Sequence, residues 1–211
     1  MAAVSETIVR EYFEQNEFLV RQFGKYVAPA GREDDDFDFV VLNPHAQPAA
    51  TPMPGLLSTG DLAYIRRAIV VVRPWHSEVF SPAMLSSTPR IFRFLGKKAF
   101  QQAARDFAES GTLLTILVVP ALPTEAQARK QSIDLIRSHG VDAVLSFRTI
   151  LANLVREVEP NRNYQKSDLL QTLRILKQHG FFKEPQLELF KARPRSRGPR
   201  SAGDSGDKGS L

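Results

Sequence analysis

The chain contains no cysteine. Disulfides, thiolate metal sites and cysteine nucleophiles are therefore excluded. The four histidines show no zinc-type spacing, so we expect carboxylates to hold any bound metal. The sequence also lacks a Gly-x-Ser-x-Gly elbow, a phosphate-binding glycine loop and a dinucleotide fingerprint. Triad hydrolases, P-loop nucleotide hydrolases and Rossmann-type cofactor enzymes thus find no support in the sequence.

Long apolar runs are missing as well. No segment approaches the ~18 uninterrupted apolar residues of a membrane helix. The first residues include Glu6, Arg10 and Glu11 and do not form the apolar region of a signal peptide. The expectation is a soluble, cytoplasmic protein without membrane contact.

The charge is concentrated near the end of the chain. The net charge is +5, and residues 191–211 carry six basic and two acidic residues, which leaves +1 for the rest. A basic segment rich in Pro, Gly and Ser is typical of a disordered tail. We therefore predict a folded α/β domain over residues 1–183 and a flexible basic tail over 184–211. The tail either binds phosphates weakly, docks on an acidic protein partner, or only keeps the protein soluble.

Apolar spacing and turn residues predict the order α-β-β-β-α-β-α-β-α-α. The last part alternates helix and strand, which favours parallel pairing. The expected fold is therefore α/β with a mixed central sheet and additional C-terminal helices. The predicted segments are a helix over 5–16, strands over 18–23, 36–42 and 68–73, an irregular loop over 44–60, a helix over 90–107, a strand over 113–119, a helix from 124 to 139, a strand over 141–147, and two helices beginning near 150 and at 167.

Charged residues mark two of the predicted strands. Asp38 lies on the strand 36–42, and residues two apart share a face of a strand, so Asp38 interrupts an otherwise apolar face. The strand 68–73 ends in the triplet Val71-Val72-Arg73. Val71 and Arg73 share a face, so Asp38 and Arg73 become neighbours if the two strands pair. A partly buried ion pair would explain both residues without any ligand.

This arrangement resembles the core of the restriction-endonuclease-like, or PD-(D/E)xK, superfamily. That core has a helix, three mostly antiparallel strands, a helix and a further strand, and it corresponds here to residues 5–147. By this resemblance, Asp38 matches the metal-binding aspartate, Val71 the position of a second acid, and Arg73 the lysine of an acid-x-Lys triplet. The resemblance implies a Mg²⁺-dependent nuclease whose site is degenerate in this chain.

Each substitution has a chemical consequence. Valine at position 71 removes a ligand carboxylate, whereas Mg²⁺ requires octahedral oxygen ligation. Arginine at position 73 keeps a charge that can bind phosphate, but its pKa above ~12 prevents proton exchange. Acids from elsewhere could replace the missing ligand, and the available ones are Glu14, Asp36, Asp61 and Glu78.

A second cationic feature lies on the predicted helix 90–107. Arg90, Arg93 and Lys97 recur at i, i+3 and i+7 and form one stripe, which Arg66 and Arg67 extend if the fold brings them near. Together with Arg73, this stripe suggests binding to a DNA or RNA backbone, although a solvated helix face is the more common explanation of such a pattern. After Arg73, the run Trp75-His76-Ser77-Glu78 either shapes a pocket or covers the core.

The sequence thus favours an inactive or impaired nuclease-like domain that binds phosphate backbones and needs no cofactor. Two other functions stay open. One is an active Mg²⁺-dependent nuclease with a migrated acidic ligand, and the other is a scaffold or protein-interaction domain without a nucleic-acid role. A small-ligand binder is a third class, for which the sequence offers no specific residues.

Overall fold

The computed structural model describes residues 2–23, 37–108 and 113–182. These residues form five strands, six α-helices and two 3₁₀ helices, which we label η1 and η2. The elements are α1 (Ala2–Gln15), β1 (Leu19–Gln22), β2 (Phe39–Leu42), η1 (Thr59–Tyr64), β3 (Arg67–Val72), α2 (Pro82–Ser87), η2 (Pro89–Gly96), α3 (Lys98–Ala108), β4 (Leu114–Val119), α4 (Ala126–Ser138), β5 (Ala143–Ser146), α5 (Phe147–Glu157) and α6 (Asp168–Gln178).

The strands form one mixed sheet in the order β1-β2-β3-β4-β5. β2 runs antiparallel to both β1 and β3, whereas β4 runs parallel to β3 and β5. This confirms the expected α/β class, the mixed sheet and the parallel pairing of the later strands. Because parallel crossovers are almost always right-handed, the connections from β3 to β4 and from β4 to β5 cover the same face of the sheet.

The two faces of the sheet pack against different helices. Ile69 and Val71 of β3 belong to a buried cluster that includes side chains of α2, η2, α3 and α4. Successive residues of a strand point to opposite faces, so Val70 and Val72 face the other side. There α1 packs against α5 and contacts β3. β3 and β4 are buried on both faces, as their apolar sequences require.

The region between β3 and β4 differs from the expectation. The single helix predicted over 90–107 is wrong, because η2 ends at Gly96 and α3 begins only at Lys98. Lys97 has extended backbone angles (φ −77°, ψ 139°), which interrupt the helical hydrogen bonding. The short helix α2, capped by the Ser81 hydroxyl, was not predicted.

Turn and cap residues account for several other helix ends. Gly140 and Gly180 have positive φ values (99° and 72°) just after α4 and α6, as predicted for C′ glycines. α4 begins at Ala126, two residues after the predicted start at 124. The Glu125 carboxylate caps this end, since it accepts hydrogen bonds from the amides of Gln127 and Ala128.

The irregular segment before η1 covers one edge of the sheet. The Leu57 N–H donates to the Val144 carbonyl at 2.9 Å, and the Val144 N–H donates to the Gly55 carbonyl at 2.8 Å. These bonds satisfy backbone groups of β5 that an uncovered edge strand would expose. The predicted loop over 44–60 thus contributes to the sheet without forming a strand of its own.

Within the described part of the chain, no helix is long and apolar enough to cross a bilayer. The described residues up to Phe181 belong to one compact unit. The predicted tail over 184–211 lies outside the described residues, so the predicted domain boundary stays a prediction.

Candidate functional site

Asp38 lies one residue before β2 and joins it to β3. Its N–H donates to the Val70 carbonyl at 3.1 Å, and its carboxylate oxygen Oδ2 accepts from the Val72 N–H at 2.7 Å. The two bonds therefore reach the residues on either side of Val71. A carboxylate accepting from a backbone amide forms a short, charge-assisted hydrogen bond, as this distance indicates.

Val71, at the position of the missing acid, is a core residue. Its side chain is fully buried in the same cluster as Val40 and Leu117. The antiparallel pairing of β2 with β3 therefore does bring Asp38 beside the triplet, as the sequence suggested. At this position, Asp38 lies beside the apolar side chain of Val71, which belongs to a buried apolar layer.

Arg73 follows β3 and is only 3% exposed. Its N–H donates to the Val118 carbonyl at 3.0 Å and so extends the pairing with β4. Its guanidinium donates from Nε and Nη2 to the Ile91 carbonyl at 3.3 and 3.2 Å and lies over the Phe94 ring, 5.3 Å from the centroid. Arg73 thus connects the end of β3 to η2, and the predicted ion pair with Asp38 stays a prediction.

The burial of Arg73 matters for the phosphate-binding role that the sequence assigned to it. A phosphate can reach the guanidinium only if the side chain leaves Ile91 and Phe94. In the described arrangement, the positive charge is used to hold two elements together. That role needs an arginine, since a lysine lacks the planar fork that donates from two nitrogens.

Two of the alternative acids lie far from Asp38. The Tyr12 hydroxyl donates to Thr59 Oγ1, which places the C-terminal half of α1 near η1 and hence near the start of β3. Glu14 follows on α1, whereas Asp38 lies beside Val71 near the other end of β3. Asp61 lies within η1, where its carboxylate accepts hydrogen bonds from the N–H and the hydroxyl of Ser58.

Glu14 interacts with charged neighbours on α1. Its carboxylate lies 3.9 Å from Arg10 Nε. Burial raises its pKa, Arg10 opposes that increase, and the neighbouring Glu11 adds to it. Since α1 packs on the face of the sheet opposite to Val71 and Asp38, the structure does not bring Glu14 and Asp38 together.

The two remaining acids that could replace the missing ligand are Glu78 and Asp36. Glu78 is exposed in the segment after β3, and Asp36 lies outside the described residues. Over residues 2–23, 37–108 and 113–182, no three His, Asp or Glu side chains gather in a group that could hold a metal. The Mg²⁺ ligands predicted as Asp38, Asp36 and Glu14 stay a prediction.

The cationic stripe is shorter than predicted. Arg90 and Arg93 are exposed and three residues apart in η2, so they lie on the same side of this 3₁₀ helix. Lys97 lies beyond η2 in extended backbone and is half-buried, so its helical spacing to the two arginines is lost. Arg66 and Arg67 lie at the start of β3, at the end of the strand away from Arg73 and η2. They do not extend the stripe.

Two contacts with aromatic rings involve residues of η2, and sequence reasoning missed both. The Arg90 guanidinium lies 4.9 Å from the centroid of Trp75, and His139 stacks on Phe92 at 4.1 Å with an angle of 8° between the rings. Trp75 was noted only as a pocket or core residue. The sequence did not indicate the contact of His139 with Phe92, because His139 comes from the end of α4, far along the chain from η2.

A serine–histidine contact was also invisible in the sequence. His76 Nε2 lies 2.8 Å from the Ser5 hydroxyl, although 71 positions separate the residues. Ser5 is buried, and the His76 ring packs edge-on against Phe147. The contact fixes the start of α1 to the segment after β3.

Comparisons with protein-family profiles, curated proteins and solved structures found no match.

Proposed function

We propose that the protein is a restriction-endonuclease-like domain that does not cleave nucleic acid and binds its phosphate backbone through η2. The element order supports this assignment. α1, three antiparallel strands β1 to β3, the helix α3 and the strand β4 follow one another as in the core that the sequence resembles. Asp38 also lies beside the triplet at the end of β3, as the resemblance requires.

The observation that carries the loss of cleavage is the way in which Asp38 brackets Val71. Asp38 bonds to Val70 and Val72, and the side chain between them is fully buried and apolar. The carboxylate that would hold Mg²⁺ already accepts a backbone hydrogen bond, and position 71 supplies no second carboxylate. One protein carboxylate is a weak basis for Mg²⁺, which needs octahedral oxygen ligation.

Arginine at position 73 also removes the acid–base function that the lysine of an acid-x-Lys triplet would supply. An arginine does not exchange protons near neutral pH, so it cannot replace a catalytic lysine as an acid or base. Its guanidinium is also buried against Ile91 and Phe94. The triplet therefore supports a stabilising role for the strand end in place of a catalytic one.

Phosphate binding is assigned to the cations that reach solvent. Arg90 and Arg93 are exposed on the same side of η2, and arginine binds phosphate with a planar, two-pronged donor set. The assignment thus moves the nucleic-acid contact from the buried Arg73 to η2. Lys97 contributes through its charge and not through a helical stripe.

Binding measured across a salt series tests this proposal. Labelled DNA and RNA are titrated with the full chain and with a variant that ends at Phe182, since the tail carries basic residues of its own. The double change Arg90→Ala, Arg93→Ala should weaken binding about tenfold or more and reduce the slope of log K against log salt by about 2. The matched control is Arg148→Ala with Arg162→Ala, two exposed arginines away from η2.

Two results would overturn the proposal. If all affinity disappears with the residues after Phe182, the domain itself does not bind nucleic acid, and a scaffold role is favoured. If the purified protein cleaves plasmid DNA in Mg²⁺ or Mn²⁺ and Asp38→Ala abolishes that cleavage, the domain is an active nuclease. The expected result is binding by the shorter variant without cleavage.

A further inference from the structure

A series of aromatic and cation–π contacts beside η2 runs from the core to the surface. Phe80 is fully buried, and its ring lies 6.0 Å from that of the half-buried Trp75. The exposed Arg90 guanidinium lies over the Trp75 ring. An arginine held in this way by an aromatic ring presents a flat, positively charged group at the surface.

A second contact beside η2 is a parallel stack of two rings. Phe92 is only 7% exposed, and the exposed imidazole of His139 lies parallel to it at 4.1 Å. His139 Nδ1 is 2.9 Å from the Leu135 carbonyl and therefore carries the hydrogen of this bond. Phe92 and this bond fix the plane of the imidazole from the protein side.

Both contacts involve one short element. Arg90 and Phe92 are two residues apart in η2, and a 3₁₀ helix has about three residues per turn and rises about 2.0 Å per residue. Their Cα atoms are therefore separated by about 4 Å along the axis, and their side chains leave the helix about 120° apart. Arg93 follows directly and is exposed. Two planar groups and a further cation thus lie on adjacent sides of η2, and we name this set of residues the η2 patch, defined as Trp75, Arg90, Phe92, Arg93 and His139.

We propose that the η2 patch binds single-stranded nucleic acid by stacking unpaired bases on Arg90 and on His139, while Arg93 contacts the backbone. This inference rests on the proposed function and narrows its substrate. A base can stack only where its own face is uncovered, and the faces of paired bases are covered by their neighbours in a duplex. Phosphate contacts alone would bind single-stranded and duplex nucleic acid with similar affinity, whereas planar side chains favour the single strand.

A comparison of single-stranded and duplex ligands tests the inference. The full chain is titrated with a labelled thymidine oligonucleotide and with a duplex of equal length at one salt concentration. We expect tighter binding of the single strand. Trp75 is the only tryptophan of the chain, so its fluorescence should change on addition of the single strand and reports binding at the patch itself.

Variants that keep the charge separate stacking from electrostatics. Arg90→Lys retains a cation but loses the planar group, and it should weaken single-strand binding at least about fivefold while duplex binding changes less than about twofold. His139→Asn should act in the same direction. Arg148→Lys, on an exposed arginine of α5, is the matched control and should leave both affinities unchanged. Thermal melting confirms that each variant is folded.

The outcomes distinguish this inference from the function on which it rests. Equal affinity for the two forms, or a single-strand affinity that Arg90→Lys leaves unchanged, overturns base stacking but leaves phosphate binding intact. A protein that binds neither form overturns the proposed function and the inference with it. Selective loss of single-strand binding in Arg90→Lys supports both.

Discussion

Asp38 connects two strands through its side chain, and its replacement should destabilise the fold even where no metal binds. The perturbation is a pair of substitutions, Asp38→Ala and Asp38→Asn. Alanine removes the acceptor of the Val72 N–H, whereas asparagine keeps an oxygen that can accept the same bond. The comparison therefore isolates the hydrogen bond from the charge.

The structure sets the size of the expected effect. Val72 is 3% exposed, so its N–H has little access to water once the carboxylate is gone. A buried donor without a partner costs about 1–3 kcal/mol, and hydrogen bonds to charged groups lie at the upper end of the range. We expect Asp38→Ala to lower the free energy of unfolding by about 2–3 kcal/mol and Asp38→Asn by about 1 kcal/mol.

Urea unfolding of the two variants measures these differences, with an unchanged m value as evidence that the two-state comparison is valid. For a domain of this size, the loss in Asp38→Ala corresponds to a decrease in Tm of about 4–12 °C. Asp142 makes a matched second test. Its carboxylate accepts from the Thr115 N–H at the same 2.7 Å and Thr115 is only 8% exposed, so Asp142→Ala should likewise cost about 1–3 kcal/mol.

Two results would refute this account of Asp38. One is an Asp38→Ala variant as stable as the unchanged protein, and the other is an Asp38→Asn variant as damaged as the alanine variant. A Mg²⁺ titration adds a separate criterion. If Asp38 held the metal, Mg²⁺ would stabilise the unchanged protein by RT ln(1 + [Mg²⁺]/Kd), and both variants would lose that increase.

Two further perturbations test the packing around the sheet. Burial raises the pKa of Tyr12 from 10.0 to about 12. The stability that the neutral Tyr12 contributes is therefore complete below pH 10 and is lost as pH rises toward 12, and it corresponds to about 3 kcal/mol. Tyr12→Phe should remove this pH-dependent loss of stability and should cost about 1 kcal/mol at neutral pH. Gly55→Ala should cost about 1–3 kcal/mol in urea unfolding, because the added Cβ would lie 2.7 Å from Ile133 Cγ2 and 3.0 Å from Arg137 Cδ.

Each of these predictions has an internal comparison. Tyr12→Phe serves as the reference for alkaline unfolding, since both proteins share every other titrating group. Identical pH profiles above pH 10 would contradict a buried neutral Tyr12. Gly96→Ala is the control for Gly55, because a Cβ at Gly96 meets nothing within 4 Å. If Gly55→Ala is as stable as Gly96→Ala, the Gly55 segment does not pack tightly against α4.

The sequence predicted those parts of the fold in which one physical cause dominates. β4 follows from its continuous apolar run, because a strand covered on both faces needs apolar residues on both. The ends of α4 and α6 follow from Gly140 and Gly180, which adopt positive φ. The break at Lys97 was missed because apolar spacing of three or four residues does not distinguish a 3₁₀ helix joined to an α-helix from one continuous helix.

The candidate site was predicted less completely, for reasons of tertiary structure. Alternation along the strands predicted that Asp38 and Arg73 become neighbours if the two strands pair. The structure confirms the pairing of β2 with β3 and places Asp38 beside Val71. The near-complete burial of Arg73 was not predicted, since arginine is rarely buried and its partner, the Ile91 carbonyl, comes from η2. The contacts of His139 with Phe92 and of His76 with Ser5 join distant parts of the chain, and no local pattern encodes them.

Asp38 and Arg73 show how charged residues at strand ends can resemble a catalytic site while serving the fold. Each bonds to a backbone group of a neighbouring element, the Val72 amide in one case and the Ile91 carbonyl in the other. These roles demand an acceptor at position 38 and a planar donor at position 73, and neither demands a carboxylate at position 71. A valine there is then the expected residue, because the position faces a fully buried apolar layer. Val71 and Arg73, which depart from an acid-x-Lys triplet, are thus consistent with Asp38 as parts of a stabilised strand end, and the nucleic-acid contact that we propose is assigned to the exposed arginines of η2.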